Sequence, residues 1–241
     1  MALGQRFADV RPIAGAVATL GVNERVAFIR KTYAHLAGAI GLFMLLEYMF
    51  LQSELAMSWT LWALGGRWTW LLVLGLFMIV GKIAENWAQS ATSRPIQYVG
   101  LGLYVVAEVI LFAPILLLAL FLTDDPYIIH KAGLLTLTIF AGLTGTVLLT
   151  RKDFSFLRGA LGVGGMAAMG LIVASMIFGF SLGVLFSAFM IALAAGYILY
   201  YTSQVFAHYR PTQYVAASLA LFAAIALLFW YVLRLLMSLR N

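Results

Sequence analysis

Seven long apolar runs divide the chain, near residues 33–52, 68–84, 97–122, 132–150, 157–178, 182–201 and 214–237, with polar residues collected between them. A helix needs roughly 20 apolar residues to cross ~30 Å of hydrocarbon, and these runs have that length. They are continuous rather than alternating, which predicts helices and not the strands of a membrane barrel. The pattern therefore predicts an all-α membrane protein, a bundle of seven transmembrane helices. Residues 33–241 form the transmembrane domain and residues 1–32 an N-terminal segment. Within that segment Val22, Val26 and Ile29 fall on one helical face. That face predicts a short interfacial helix before the first span, or a solvated lead-in to it. Residues 1–32 hold no long apolar core, so no cleavable signal peptide is expected.

Composition agrees. Of 241 residues, 64% are hydrophobic and 10% charged. A soluble domain carries about 25% charged residues and has no way to hide this much apolar surface. The net charge of +6 does not predict a nucleic-acid partner, because the cations lie in particular loops. With the N-terminus in the cytoplasm, the inside holds Arg6, Arg11, Arg25, Arg30, Lys31, Lys82, Arg94, Arg151, Lys152, Arg158 and Arg210. The outside holds Arg67, Lys131, Arg234 and Arg240. Eleven cations against four favours that orientation. Trp59, Trp62, Trp68 and Trp70 gather at the first outer loop, where headgroups favour such rings. Small residues recur at helical spacing, as Ala160, Gly164 and Ala168 and as Ala141 and Gly145, and predict close helix contacts.

Charges inside a membrane are costly, and function is sought there first. Glu108 lies 11 residues after Gln97, about 16 Å along a helix and so near mid-membrane. Two readings stand: a proton- or cation-binding carboxylate facing the bundle interior, or a protonated side chain bonded to a neighbouring helix. Pro114, two turns on, frees a backbone carbonyl. Glu47 lies 16 residues after Lys31, about 24 Å along its helix, and Arg234 is 21 residues past Gln213. Both approach the outer interface, where they form an ion pair or reach separately to the headgroups. Asp124, Asp125 and Pro126 form an outer loop, a turn or helix cap more readily than a cation site. The chain has no cysteine, and His35, His130 and His208 fit no metal-ligand spacing. No serine–histidine–acid set converges. No catalytic residue, metal or cofactor is read, and an intramembrane hydrolase lacks a nucleophile and a base.

One loop reads Thr150-Arg151-Lys152-Asp153-Phe154-Ser155-Phe156-Leu157, and the sixth span ends Leu199-Tyr200-Tyr201-Thr202. Arg25, Phe28, Lys31 and Tyr33 precede and open the first span. In order and spacing these resemble the Lys/Arg-Asp-Phe-Ser-Phe-Leu loop, the Leu-Tyr-Asp-Thr signature and the first-span start of the Bax inhibitor-1 family. The resemblance covers roughly residues 25–237. It implies seven helices with the last one central, a cytoplasmic N-terminus and a role in ion leak and stress tolerance. Bacterial members lie in the inner membrane, and some associate with a membrane-bound AAA protease. Ion-conducting members pair an aspartate in the Leu-Tyr-Asp-Thr motif with a second aspartate in the last helix. Here Tyr201 stands at the first place and Ala224 at the second, and neither Ala223 nor Ile225 is acidic. The resemblance then implies a leak-type protein without the pH-gated calcium path. Any remaining ion or proton route is centred on Glu108 and Tyr201. The rival is a non-conducting interaction subunit of a membrane protease or larger complex.

Overall fold

The computed structural model describes residues 15–90, 93–150 and 152–239. Arg6, Arg11, Arg151 and Arg240, used above for orientation, lie outside the described residues. The helices are α1 Val22–Leu51, α2 Glu54–Leu64, α3 Arg67–Ala88, α4 Arg94–Leu122, α5 Ile128–Thr150, α6 Leu157–Phe178, α7 Gly183–Ala207 and α8 Tyr214–Ser238. Among the described residues seven are long and apolar enough to span a membrane, all but α2. The protein is an all-α, multi-pass membrane protein. One end of the bundle carries the starts of α1, α4, α6 and α8 and is called here the near face. The far face carries α2 and the starts of α3, α5 and α7.

Local chemistry accounts for the helix ends. Pro95 sits in the first turn of α4, where its missing N–H costs nothing. Gly179 ends α6 with φ 77°, a left-handed conformation that a side chain would strain. The helix expected before the first span is not a separate element. No glycine or proline interrupts Val22 to Thr32, so α1 runs through both. The loop after it holds a helix not foreseen, α2, whose 11 residues are too few to span.

Helix α8 is the centre of the bundle. Fifteen of its residues are buried, and it packs against α1, α3, α4, α5 and α7. In lipid no hydrophobic force separates a buried apolar helix from an exposed one; packing decides. Ala216, Ala217, Ala224 and Ala226 are all buried and let neighbours approach. An aromatic ladder joins α1, α4 and α8: Phe43 meets Phe112 at 5.3 Å and Phe222 at 6.0 Å, and Phe112 meets Trp230 at 5.1 Å.

The expected small-residue contacts are only partly used. Ala168 is buried and Gly164 faces α7, where a Cβ would lie 2.8 Å from Leu193 Cδ1. Ala160 and Ala141 are exposed, and nothing lies within 4 Å of where a Cβ on Gly145 would be. Spacing defines a stripe, but not the side of the helix on which a neighbour stands.

Candidate functional site: two cavities and a tyrosine wall

Pro114 has no N–H to give to the carbonyl of Ile110, one turn earlier. Trp59 of α2 supplies the missing donor, its Nε1–H reaching that carbonyl at 2.9 Å. The tryptophan expected at the headgroup level therefore completes a broken helix ladder. It fixes α2 against α4 close to Glu108.

Glu108 is 4% exposed. Its side-chain hydrogen-bonding neighbour is Tyr104, one turn earlier on α4. It opens onto a cavity of about 650 Å³ between α3, α4, α6, α7 and α8. Tyr104, Glu108, Tyr197, Tyr201, Ala223 and Ala224 form its deep end. Ser181 and Leu182 of the α6–α7 connection, with Arg234, line its far-face end. A second cavity, of about 760 Å³, faces the near end and is lined by Lys82, Glu85, Gln89, Arg158 and Tyr209. The two share a wall of Phe77, Met78, Tyr104, Tyr197, Tyr201 and Ala223.

The wall is held by ring packing and one firm bond. Tyr197 and Tyr201 stack, 5.9 Å apart and 15° from parallel. Tyr200 packs edge-on to Tyr201 at 5.2 Å. The Tyr197 hydroxyl donates to the Leu161 carbonyl at 3.0 Å and so ties α7 to α6. Tyr104 packs against Phe77 and Phe222. Tyr201 and Ala224, named separately from the sequence, thus line one cavity, and Glu108 lines it with them. Tyr104 and Tyr197 were not foreseen. Each lies four residues before a residue that was, Glu108 and Tyr201, and so on the same helical face.

Residues 153–155 dock beside this wall. Asp153 Oδ1 accepts from the Ser155 N–H at 2.9 Å and from its hydroxyl at 2.5 Å. Ser203 Oγ accepts the Phe154 N–H at 3.2 Å, and Gln204 Nε2–H donates to Ser155 Oγ at 2.8 Å. This loop motif is therefore bound to the two residues that follow the motif of residues 199–202 on α7.

Of the two readings for Glu47 and Arg234, the ion pair is absent among the described residues, and the burial of Glu47 does not fit separate reach to the headgroups either. Glu47 is 5% exposed, and neither carboxylate oxygen has a hydrogen-bond partner among the described residues. The ionisable side chain near enough to interact with it is Glu108. Arg234 belongs to the α8 stripe of Ala223, Leu227 and Tyr231, which faces the cavity. Helix α1 packs elsewhere on α8, at Tyr214 and Phe222. Equal height therefore did not mean contact. Asp125 forms the turn expected of it, with its carboxylate on the Tyr127 N–H at 3.0 Å and on Lys131 at 2.7 Å. Among the described residues no group of three or more histidine, aspartate or glutamate side chains is placed to hold a metal ion.

Comparison with known proteins adds to this geometry. The family profile described as inhibitor of apoptosis-promoting Bax1 matches residues 25–241. An uncharacterised protein of Pseudomonas aeruginosa is 29% identical over 209 residues, which are 86% of this chain and 87% of that one. Bax inhibitor 1 of Schizosaccharomyces pombe is 26% identical over 245 residues, covering 98% of this chain and 84% of the relative. A Golgi anti-apoptotic protein of vaccinia virus is 27% identical over 226 residues, covering 92% and 89%.

Proposed function

The chain belongs to the Bax inhibitor-1 family, and from that premise we propose that it is a leak-type protein of the inner membrane whose ion or proton path joins the two cavities through the tyrosine wall. The observation that carries this reading is the shared wall itself: Tyr104, Tyr197 and Tyr201 separate two cavities that open toward opposite faces, with Glu108 beside it. In this reading Tyr201 closes the path and Glu108 is the protonatable group along it. No enzyme activity is part of the proposal.

Calcium is the discriminating ion. A pair of facing carboxylates binds it and releases it on protonation, whereas Tyr201 and Ala224 bring no charge to those places. Purified protein in liposomes, followed with calcium and proton dyes in parallel, should give little pH-gated calcium flux. Robust calcium flux with a near-neutral midpoint would refute the carboxylate argument. Absence of any flux would remove the leak reading as a whole.

The near face is proposed to be cytoplasmic. Among the described residues it carries Arg25, Arg30, Lys31, Lys82, Arg94, Lys152, Arg158 and Arg210, against Arg67, Lys131 and Arg234 at the far face. The cysteine-free chain makes this simple to test. Lys152 is exposed, so Lys152→Cys is the reporter. It should resist an impermeant thiol reagent in intact cells and react after permeabilisation. Labelling in intact cells would reverse the orientation.

One observation favours the second reading, an interaction subunit of a membrane protease or larger complex. Ala141 and Gly142 leave a small exposed patch on α5 that no described helix covers. If that reading holds, flux is absent and a cysteine at Ala141 crosslinks to one defined partner.

A further inference from the structure

No Cα atom of α6 lies within 8 Å of one in α8, and α6 meets α3 only sparsely. The far cavity occupies this gap. Arg67 Nη1–H donates to the Ile177 carbonyl at 3.1 Å and pins α3 to α6 at the far-face end. Between the helices the walls are Trp70, Leu74, Met169, Ile172, Met176 and Leu227. Ser175 and Ser181 also line it, but along this apolar stretch water finds few polar partners, and an empty space forfeits dispersion contacts.

One cation interrupts the apolar walls. Arg234 is half-buried at the far-face end and has no carboxylate or hydrogen-bond partner among the described residues. The sole carboxylate in the lining is Glu108, at the deep end. Arg234 lies ten residues after Ala224 on α8, about 15 Å along the helix. The cavity thus has a largely apolar shaft, and at its far-face end a guanidinium with no partner among the described residues. A guanidinium matches a phosphate with two parallel hydrogen bonds.

We propose that this cavity is a phospholipid site, with the phosphate on Arg234 and one acyl chain lying in the gap between α3, α6 and α8. The bilayer supplies this ligand at high local concentration, and the apolar shaft adds affinity for an acyl chain that free phosphate does not have. The inference stands on the cavity and not on conduction. If ions do cross, the lipid plugs the far half of their path at rest.

Native mass spectrometry of the whole protein, released from detergent micelles with added phosphatidylglycerol, tests the site. Wild type should retain one phosphatidylglycerol through delipidating washes. Diacylglycerol of the same chains, which lacks the phosphate, should be lost. Arg234→Ala should weaken retention about 10-fold, and Arg234→Lys should recover part of it. Ile172→Trp fills the shaft without touching Arg234 and should also expel the lipid, which keeps the test open should Arg234→Ala be unstable. A brominated acyl chain should quench Trp230, seen as quenching lost in Trp230→Phe. Retention in Arg234→Ala equal to wild type, or diacylglycerol held as tightly as phosphatidylglycerol, would overturn the proposal. None of these readouts depends on ion flux, so the leak reading and the lipid site stand or fall separately.

Discussion

Gly100→Ala is expected to destabilise the protein more than any other single-methyl addition. A Cβ at Gly100 would lie 2.6 Å from the Ala84 carbonyl oxygen, 2.6 Å from the Ala88 nitrogen and 3.0 Å from Trp87 Cβ. Two of those atoms are backbone, which cannot rotate out of the way, so α3 must move off α4. Overpacking of a well-filled interior typically costs 1–3 kcal/mol, and a clash with backbone belongs at about the upper end. Gly102, half a turn on, has nothing within 4 Å of the same position. Gly102→Ala should be neutral or slightly stabilising, because alanine is the better helix former. Thermal unfolding of both variants in the same detergent decides it. If Gly100→Ala unfolds at the wild-type temperature, the close α3–α4 approach is wrong. The consequence reaches the site, because α3 brings Phe77 and Met78 to the shared wall. Moving α3 outward should loosen that wall and raise any basal leak.

The sequence was legible where one rule dominates. Apolar run length alone places the seven spans, because a bilayer demands that length. It reads worst where neighbours decide. Helix α7 continues to Ala207, past the end expected near residue 201. Thr202 and Ser203 look like loop residues, yet both are buried against the rest of the bundle. The central place of α8 came from the family resemblance; its alanines carry the physical reason. For Glu108, counting residues put it midway along its helix, as α4 has it, and the structure adds its neighbour Tyr104. For Glu47 the same counting put it at the outer interface, but α1 is packed there by α2 and α4. A depth along one helix does not reveal what covers it.

The burial of Glu47 changes what is expected of Glu108. A carboxylate ionised and unpaired at this depth costs several kcal/mol, so the neutral form is the resting one. Tyr104 is placed to hydrogen-bond it. Glu108→Gln keeps the shape, the neutrality and an acceptor for Tyr104. It should express and insert as wild type while any proton-coupled flux falls. Flux that persists unchanged would make Glu108 a packing group and favour the interaction-subunit reading. Glu108→Lys is expected to be the most damaging change at this site, since a lysine at mid-membrane costs ~2.5–3.5 kcal/mol on insertion scales. Yet Glu47 is near enough for the two charges to interact, and its oxygens have no other partner. An ionised Glu47 would offset part of that cost. Glu108→Lys should therefore accumulate to a low level alone and to a still lower level with Glu47→Gln, although Glu47→Gln by itself is tolerated. Quantitative blotting of the four membranes measures the coupling. If Glu108→Lys accumulates equally with and without Glu47, the two carboxylates act independently, and Glu47 has no part in the site around Glu108.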